Sequence, residues 1–130
     1  MTRILSCRYE VVVEATIRPL TDRDVDAART VQTVAFTALH RSQGEPVTEV
    51  TPEVVERQRR RVRHFLRHDP EGAWAAVVDG AVVGVALALR RESLWGLSLL
   101  VVDPAHQSGG IGRRLLDASL TYAEGCATAT

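Results

Sequence analysis

The sequence predicts an α/β domain of the α+β kind, a mostly antiparallel mixed sheet flanked by helices. Three observations carry that prediction. Two consecutive segments, 25–40 and 52–68, repeat apolar residues at steps of three and four. From Gly72 onward the period changes to that of strands, with Asp79-Gly80 set between two apolar runs. A nearly all-apolar stretch, 94–102, then passes through a glycine-rich turn into a third helical pattern. The predicted order is β-α-α-β-β-β-α-β, with 94–102 as the central strand.

Bulk properties narrow the field first. The chain of 130 residues is expected to form one domain over 1–130, with 1–13 as a loose N-terminal extension. Sixteen basic residues balance sixteen acidic ones, which argues against a globally basic nucleic-acid binder. Every basic residue is Arg, and neither Lys nor Asn occurs. Lys and Asn use AT-rich codons, so a GC-rich bacterial genome is expected. The lack of Lys also removes a Walker-type phosphate loop and a Schiff-base amine. Cys7 and Cys126 lie near opposite ends and fit no zinc spacing. A disulfide is possible by count, but reduced thiols in a cytoplasmic protein are the expectation. Ile4-Leu5-Ser6-Cys7 has no apolar stretch before it, so no signal peptide is read there. No run of 18 apolar residues is present, so no membrane span is expected.

The elements follow in order. Val11, Val12, Val13 and Ile17 mark a first strand over 9–18. Thr21-Asp22-Arg23-Asp24 resembles a capping box with Asp in place of Glu. The helix after it runs to about His40, with Val25, Ala28, Val31, Ala35 and Leu39 on one face. Gly44 and Pro46 place a loop over 41–51. Thr51-Pro52 caps a second helix that reaches His68, with Val55, Val62, Phe65 and Leu66 inward and six Arg residues on the rest. Trp74–Val78 and Ala81–Leu89 form a hairpin, 90–93 turns, and Leu94–Val102 is the buried strand. Pro104 ends it, because Pro cannot donate to a ladder. The last helix spans about Ile111 to Glu124, with Ile111, Leu115, Leu116, Leu120 and Tyr122 as its apolar side. Residues from Cys126 on open another strand.

The chemistry concentrates in Val101-Val102-Asp103-Pro104-Ala105-His106-Gln107-Ser108-Gly109-Gly110-Ile111-Gly112-Arg113. A strand feeds a helix through glycines here. Helix N-termini present unpaired N–H groups and partial positive charge, and glycine lets backbone approach a phosphate. Three anion cradles compete. The Walker loop needs Lys. The dinucleotide fingerprint begins at Gly110 and Gly112, but Leu115 holds its third glycine position. Gln107-Ser108-Gly109-Gly110-Ile111-Gly112 matches the third pattern, Gln/Arg-x-x-Gly-x-Gly/Ala.

With that motif, the Val102-Asp103-Pro104 strand end and Arg113-Arg114-Leu115-Leu116 after it, the chain resembles the GNAT superfamily of N-acetyltransferases over roughly 14–130. The resemblance implies a GNAT-like acyl-CoA N-acyltransferase fold with acetyl-CoA as cosubstrate. Main-chain groups of Leu100, Val101 and Val102 would meet the pantetheine arm. Amides of Gln107, Ser108, Gly109, Gly110, Ile111, Gly112 and Arg113 would hold the pyrophosphate. An amide near Leu99 or Leu100 would polarise the thioester carbonyl, and a primary amine of a small molecule or protein would attack it.

The sequence departs from the family in two places. The family often carries a carboxylate base on the central strand, but 94–102 holds none, and Ser98 is its single polar side chain. Glu92, at the mouth of that strand, is the candidate base. The family's fold also continues with a strand, a Tyr-bearing helix and a hairpin where this chain ends, so the domain reads as lacking the last strands. An exposed sheet edge would then be covered by a second copy, and a homodimer is expected. The alternative function is a non-catalytic CoA-binding or protein-interaction module on a degenerate fold. Other residues read more plainly. The Arg-rich helix is a solvated face. His64 and His68 share ligand spacing but lack a zincin Glu, so no metal is expected. His106 is a loop residue, Tyr122 packs, and Gly96 marks a bulge or a close backbone approach.

Overall fold

The computed structural model describes residues 14–47, 49–126 and 128–129. Its order is β1 (Thr16–Pro19), α1 (Val25–Ser42), α2 (Pro52–His68), β2 (Ala73–Val78), β3 (Ala81–Arg91), β4 (Leu94–Val102), α3 (Ile111–Leu120) and β5 (Thr128–Ala129). Short 3-10 turns precede α1, β2 and α3 and follow α3. The strands form one sheet in the order β1-β2-β3-β4-β5. The first three pairings are antiparallel, while β5 runs parallel to β4 through Leu94↔Thr128 and Trp95↔Ala129. The predicted class and element order therefore hold. The first strand is shorter than the expected 9–18, and Val11 to Val13 lie outside the described residues.

Local chemistry explains the boundaries. Before α1, Asp24 Oδ2 accepts from the Thr21 amide at 2.8 Å and from its hydroxyl at 3.0 Å. At the start of α2, Thr51 Oγ1 accepts from the Val54 amide at 3.2 Å and Pro52 fills the first position. The β2–β3 turn has φ of 51° at Asp79 and 79° at Gly80, the primed turn that Asp-Gly favours.

The sheet separates two cores. Leu20, Val31, Val62, Phe65, Val85, Leu87, Leu99 and Val101 pack on the α1–α2 face. Ala76, Val83, Ala86, Val102, Ile111 and Leu115 pack on the α3 face. Leu115 is fully buried, and a Cβ on Gly84 would come within 2.8 Å of its Cδ1. The missing side chain at Gly84 is therefore what lets α3 settle on β3. One expectation for α3 is corrected: Ser119 is buried and Leu120 is 38% exposed. Positions 111, 115 and 119 recur every four residues on the inner face. Ser119 tolerates burial there because its hydroxyl donates to Leu116 O at 2.9 Å.

Candidate functional site

The cradle is built by the end of β4, a 3-10 turn over Pro104–Gly109, and the start of α3. Asp103 Oδ1 accepts from the Ala105 amide at 2.9 Å, which starts the turn, and Asp103 O accepts from the His106 amide at 2.8 Å. Gln107 turns its side chain back, and Nε2 donates to Val102 O at 3.0 Å. The Gln side chain thus ties the loop to the strand end. Gly110 sits at φ 77°, in the left-handed region that favours glycine, and no side chain caps α3. The first helical bond inside α3 runs from the Arg114 amide to Gly110 O. The amides of Ile111, Gly112 and Arg113 precede that bond and are left without intrahelical carbonyls. A Cβ on Gly112 would meet only Val102 Cγ2 at 3.7 Å, an ordinary contact, consistent with a Gly/Ala position. The basic side chains point away. Arg113 Nε lies 3.6 Å from Asp117, and Arg114 Nη1 donates to Ala15 O at 2.8 Å. The cradle is therefore a main-chain feature.

The strand leading into it is bulged. Leu87 pairs with Leu99 and Ala88 with Leu97, so Ser98 is the extra residue. The bulge changes which face the side chains meet. Trp95 Nε1 donates to Ser119 O on the α3 side, whereas Ser98 meets α2 and Leu99 joins the α1–α2 core. Gly96 pairs in register with Leu89, so the irregularity suspected there lies two residues on. Main-chain direction follows from the ladder. The Asp103 amide donates to Val83 O at 2.8 Å. By antiparallel alternation Val101 and Leu99 also turn toward β3, while Leu100 and Val102 turn their N–H and C=O to the opposite edge. That edge is paired by β5 only at Leu94 and Trp95 among the described residues.

Arg61 reaches this place from α2. Its Nη2 lies 2.7 Å from Ser98 Oγ and 3.3 Å from Ser98 O. Most of the Arg-rich helix is the solvated face expected of it, with Arg59 on Asp26 and Arg63 near Glu56. Arg61 is the exception that the sequence did not reveal. Nothing in its local pattern separates it from Arg60 or Arg63.

The remaining candidates fall elsewhere. Glu92 is exposed in the β3–β4 turn at φ 54°. It precedes Ser98 by six positions, about 20 Å of extended strand. His106 is half-buried in the 3-10 turn. The rings of His64 and His68 have centroids 4.4 Å apart, and the described residues contain no group of three metal-ligating side chains. Tyr122 donates to Asp69 Oδ1 at 2.8 Å, and its phenol is pushed up to about 12 by burial and by that carboxylate. Asp69 is fully buried and also accepts from Arg91 Nη1 at 2.9 Å and from the Arg90 amide at 3.1 Å. Burial pushes its pKa up, but these donors outweigh it and hold the carboxyl below its usual range. The pair is a structural tie between α2, β3 and the segment after α3. No described helix is long and apolar enough to cross a membrane.

The model of the acetyltransferase (GNAT) family matches residues 34–129. The fold is similar to a GCN5-related N-acetyltransferase from Kribbella flavida, with TM-score 0.69 and 19% identity over 88% of this chain and 28% of that one. It is similar to the PaiA N-acetyltransferase from Thermoplasma acidophilum in complex with coenzyme A, with TM-score 0.66 and 15% identity over 85% and 72%. It is also similar to a GNAT family acetyltransferase from Brucella melitensis in complex with acetyl-CoA, with TM-score 0.59 and 24% identity over 88% and 71%. The chain thus spans under a third of the Kribbella protein's length. No curated protein matches the sequence.

Proposed function

The chain belongs to the acetyltransferase (GNAT) family, and from that premise we propose that it transfers an acetyl group from acetyl-CoA to a primary amine. The observation that carries the proposal is the uncapped α3 start after Gly110 together with the open edge of β4 at Leu100 and Val102. Amides of the 107–113 segment face the pyrophosphate. Leu100 offers its N–H and C=O to the pantetheine arm and Val102 its N–H, since Val102 O accepts from Gln107, and Val101 holds the strand to β3. The thioester then lies near the bulge. The Leu100 amide donates to the carbonyl oxygen as negative charge develops on it, a fixed dipole that needs no reorganisation. The amine nitrogen forms the new C–N bond, the C–S bond breaks, and CoA leaves as its thiol.

An alkylammonium must first lose a proton, and its ordinary pKa lies near 10. With no carboxylate on 94–102, that step falls to the surroundings of the bulge. The Arg61 guanidinium on Ser98 disfavours a second positive charge beside it and so favours the free amine. Glu92 receives the proton only through solvent or along a bound acceptor. In this reading residues 1–130 form one domain that acts in the cytoplasm of a bacterium.

Calorimetric titration with CoA is the test, run on the wild-type chain and on Gly110→Asp. The variant places a carboxylate where φ is 77° and where anion binding is proposed. We expect at least a tenfold loss of affinity, and equal binding by both proteins would move the ligand elsewhere. Thiol release from acetyl-CoA with an amine panel then separates two functions. The carboxylate-free strand favours a CoA-binding module, and intact CoA binding without turnover would establish that second reading.

A further inference from the structure

The neutral total of this chain hides an uneven spread of charge. The helix α2 holds six of the sixteen basic residues and two of the sixteen acidic ones. Two of its arginines are neutralised on the side turned to α1, where Arg59 pairs with Asp26 and Glu56 and Arg63 lies near Glu56. The other four, Arg57, Arg60, Arg61 and Arg67, are exposed, and none of them meets a carboxylate among the described residues. Val62 and Phe65 turn the opposite face of the helix into the core. At 3.6 residues per turn the four therefore share one row along the outer, β4-facing side, about 15 Å long. The exposed His64 and His68 lie within the same row.

Such a row works against the helix that carries it. Arg57 stands three and four places before Arg60 and Arg61, spacings at which like charges oppose a helix. An anionic partner would remove that repulsion and be steered toward the row by its field. Two kinds of anionic partner compete. Single-stranded nucleic acid is held by a basic groove together with aromatic platforms for its bases. The one large aromatic of α2, Phe65, is buried, and the chain as a whole is neutral. Carboxylates need no platform, because the guanidinium fork matches them directly. On an extended segment, side chains of one face recur about every 6.7 Å, close to the roughly 6 Å between helix positions four apart.

We infer that this row docks an acidic segment of a partner protein, its carboxylates pairing with Arg57, Arg60 and Arg67. Docking needs neither CoA nor a reacting amine, so the inference goes beyond acetyl transfer and does not rest on it. The two are related by place. Arg61 belongs to the row and also meets Ser98, so a docked segment lies beside the bulge of β4. Pairs of this kind, exposed on one helix, are weak one by one and act together. Their attraction fades once salt shortens the screening length to a few ångströms.

Three fluorescent probes would be titrated with the full chain by anisotropy: a short peptide with Glu at alternate positions, the same peptide with Gln in place of Glu, and an oligothymidylate of similar length. The wild type at low salt should bind the Glu peptide at least tenfold more tightly than the Gln peptide, and molar salt should erase the difference. The triple variant Arg57→Gln, Arg60→Gln, Arg67→Gln leaves Arg61 in place. It should bring the two peptides within twofold of each other, and its thermal midpoint should not fall, because like charges are removed from the helix. The control Arg59→Gln, Arg63→Gln alters the side turned to α1 and should keep most of the preference. Equal binding of the two peptides by the wild type, or a triple variant that keeps the preference, overturns the inference. So does a control variant that loses it, since net charge and not the row would then be responsible. Oligothymidylate bound as tightly as the Glu peptide overturns it in favour of nucleic acid. Thiol release from acetyl-CoA is scored separately. Glu-peptide preference without thiol release to any amine sinks the transfer reading and leaves the docking row standing. Thiol release without that preference does the reverse.

Discussion

At the scale of residues, the contact between Arg61 and Ser98 sets a positive charge against β4, a strand without a carboxylate. Arg61 is a donor only, so Ser98 Oγ accepts from it at 2.7 Å and keeps its own proton for another partner. A unit charge held near an ammonium at an effective dielectric of 20 is worth roughly 2–4 kcal/mol at 4–8 Å before screening, and exposure to solvent reduces this severalfold. About half to one pH unit is therefore a reasonable expectation for the acceptor amine. Arg61→Gln should raise the apparent amine pKa in the pH profile of kcat/KM by about that amount and lower kcat/KM at pH 7 by about threefold to tenfold. Arg61→Lys keeps the charge and should keep most of the shift. An unchanged profile for Arg61→Gln would leave Arg61 a packing residue. Gly110, a few residues beyond the same strand, acts differently. Its φ of 77° is the geometry of the cradle itself, so its substitution alters binding and not the titration.

At the scale of elements, two buried carboxylates fix how helices leave and rejoin the sheet. Asp24 accepts from Arg18 Nη1 at 2.8 Å and Nη2 at 3.0 Å and from Thr21, and the paired guanidinium is the main reason its carboxyl is lowered to about 2. This joins the end of β1 to the start of α1. A depressed carboxyl contributes stability that is fully present above its unfolded value of 3.8 and is lost as pH falls through about 2. Arg18 is 38% exposed on its side chain, so solvent screening trims the contribution to about 1–2 kcal/mol. Asp24→Asn should cost that much in urea unfolding at pH 7, and the gap from wild type should narrow steadily between pH 4 and pH 2. A gap that is constant with pH would mean that the loss is steric. Asp69 serves the other end, where α2 hands over to β2, and its three donors come from β3 and from Tyr122 after α3.

At the scale of the whole molecule, the β-α-β step from β4 through α3 to β5 is the one parallel connection among the described residues. It leaves the 97–102 side of β4 without a paired strand among the described residues. Val47 and Val50 in the α1–α2 loop and Leu94 at the start of β4 are each 40% or more exposed. An unpaired edge and exposed apolar side chains each invite another chain. The expected outcome by light scattering is a homodimer of this chain at micromolar concentration. A monomer that persists over a hundredfold range of concentration would show that the edge is protected in some other way.

The signals that act over a few residues are legible in the sequence alone. Thr51-Pro52 opened α2 and His68 closed it, Asp79-Gly80 turned the hairpin, and Leu94 and Val102 bounded β4 as expected. The cradle segment was legible too, because glycine placement, the Asp-Pro strand end and the following apolar period all lie within one short stretch. The sequence also determined that no carboxylate stands on β4. Tertiary structure decided the rest. Ser98 became a bulge because β3 and β4 shift register across from it, and that shift turned Leu99 toward the helices. Arg61 was one Arg among six on its helix until α2 packed over β4 and brought it to Ser98. Ser119 replaced Leu120 on the buried face because a four-residue repeat, not hydrophobicity alone, met the sheet. Such facts depend on contacts between residues distant in the chain, and local propensity carries no record of them.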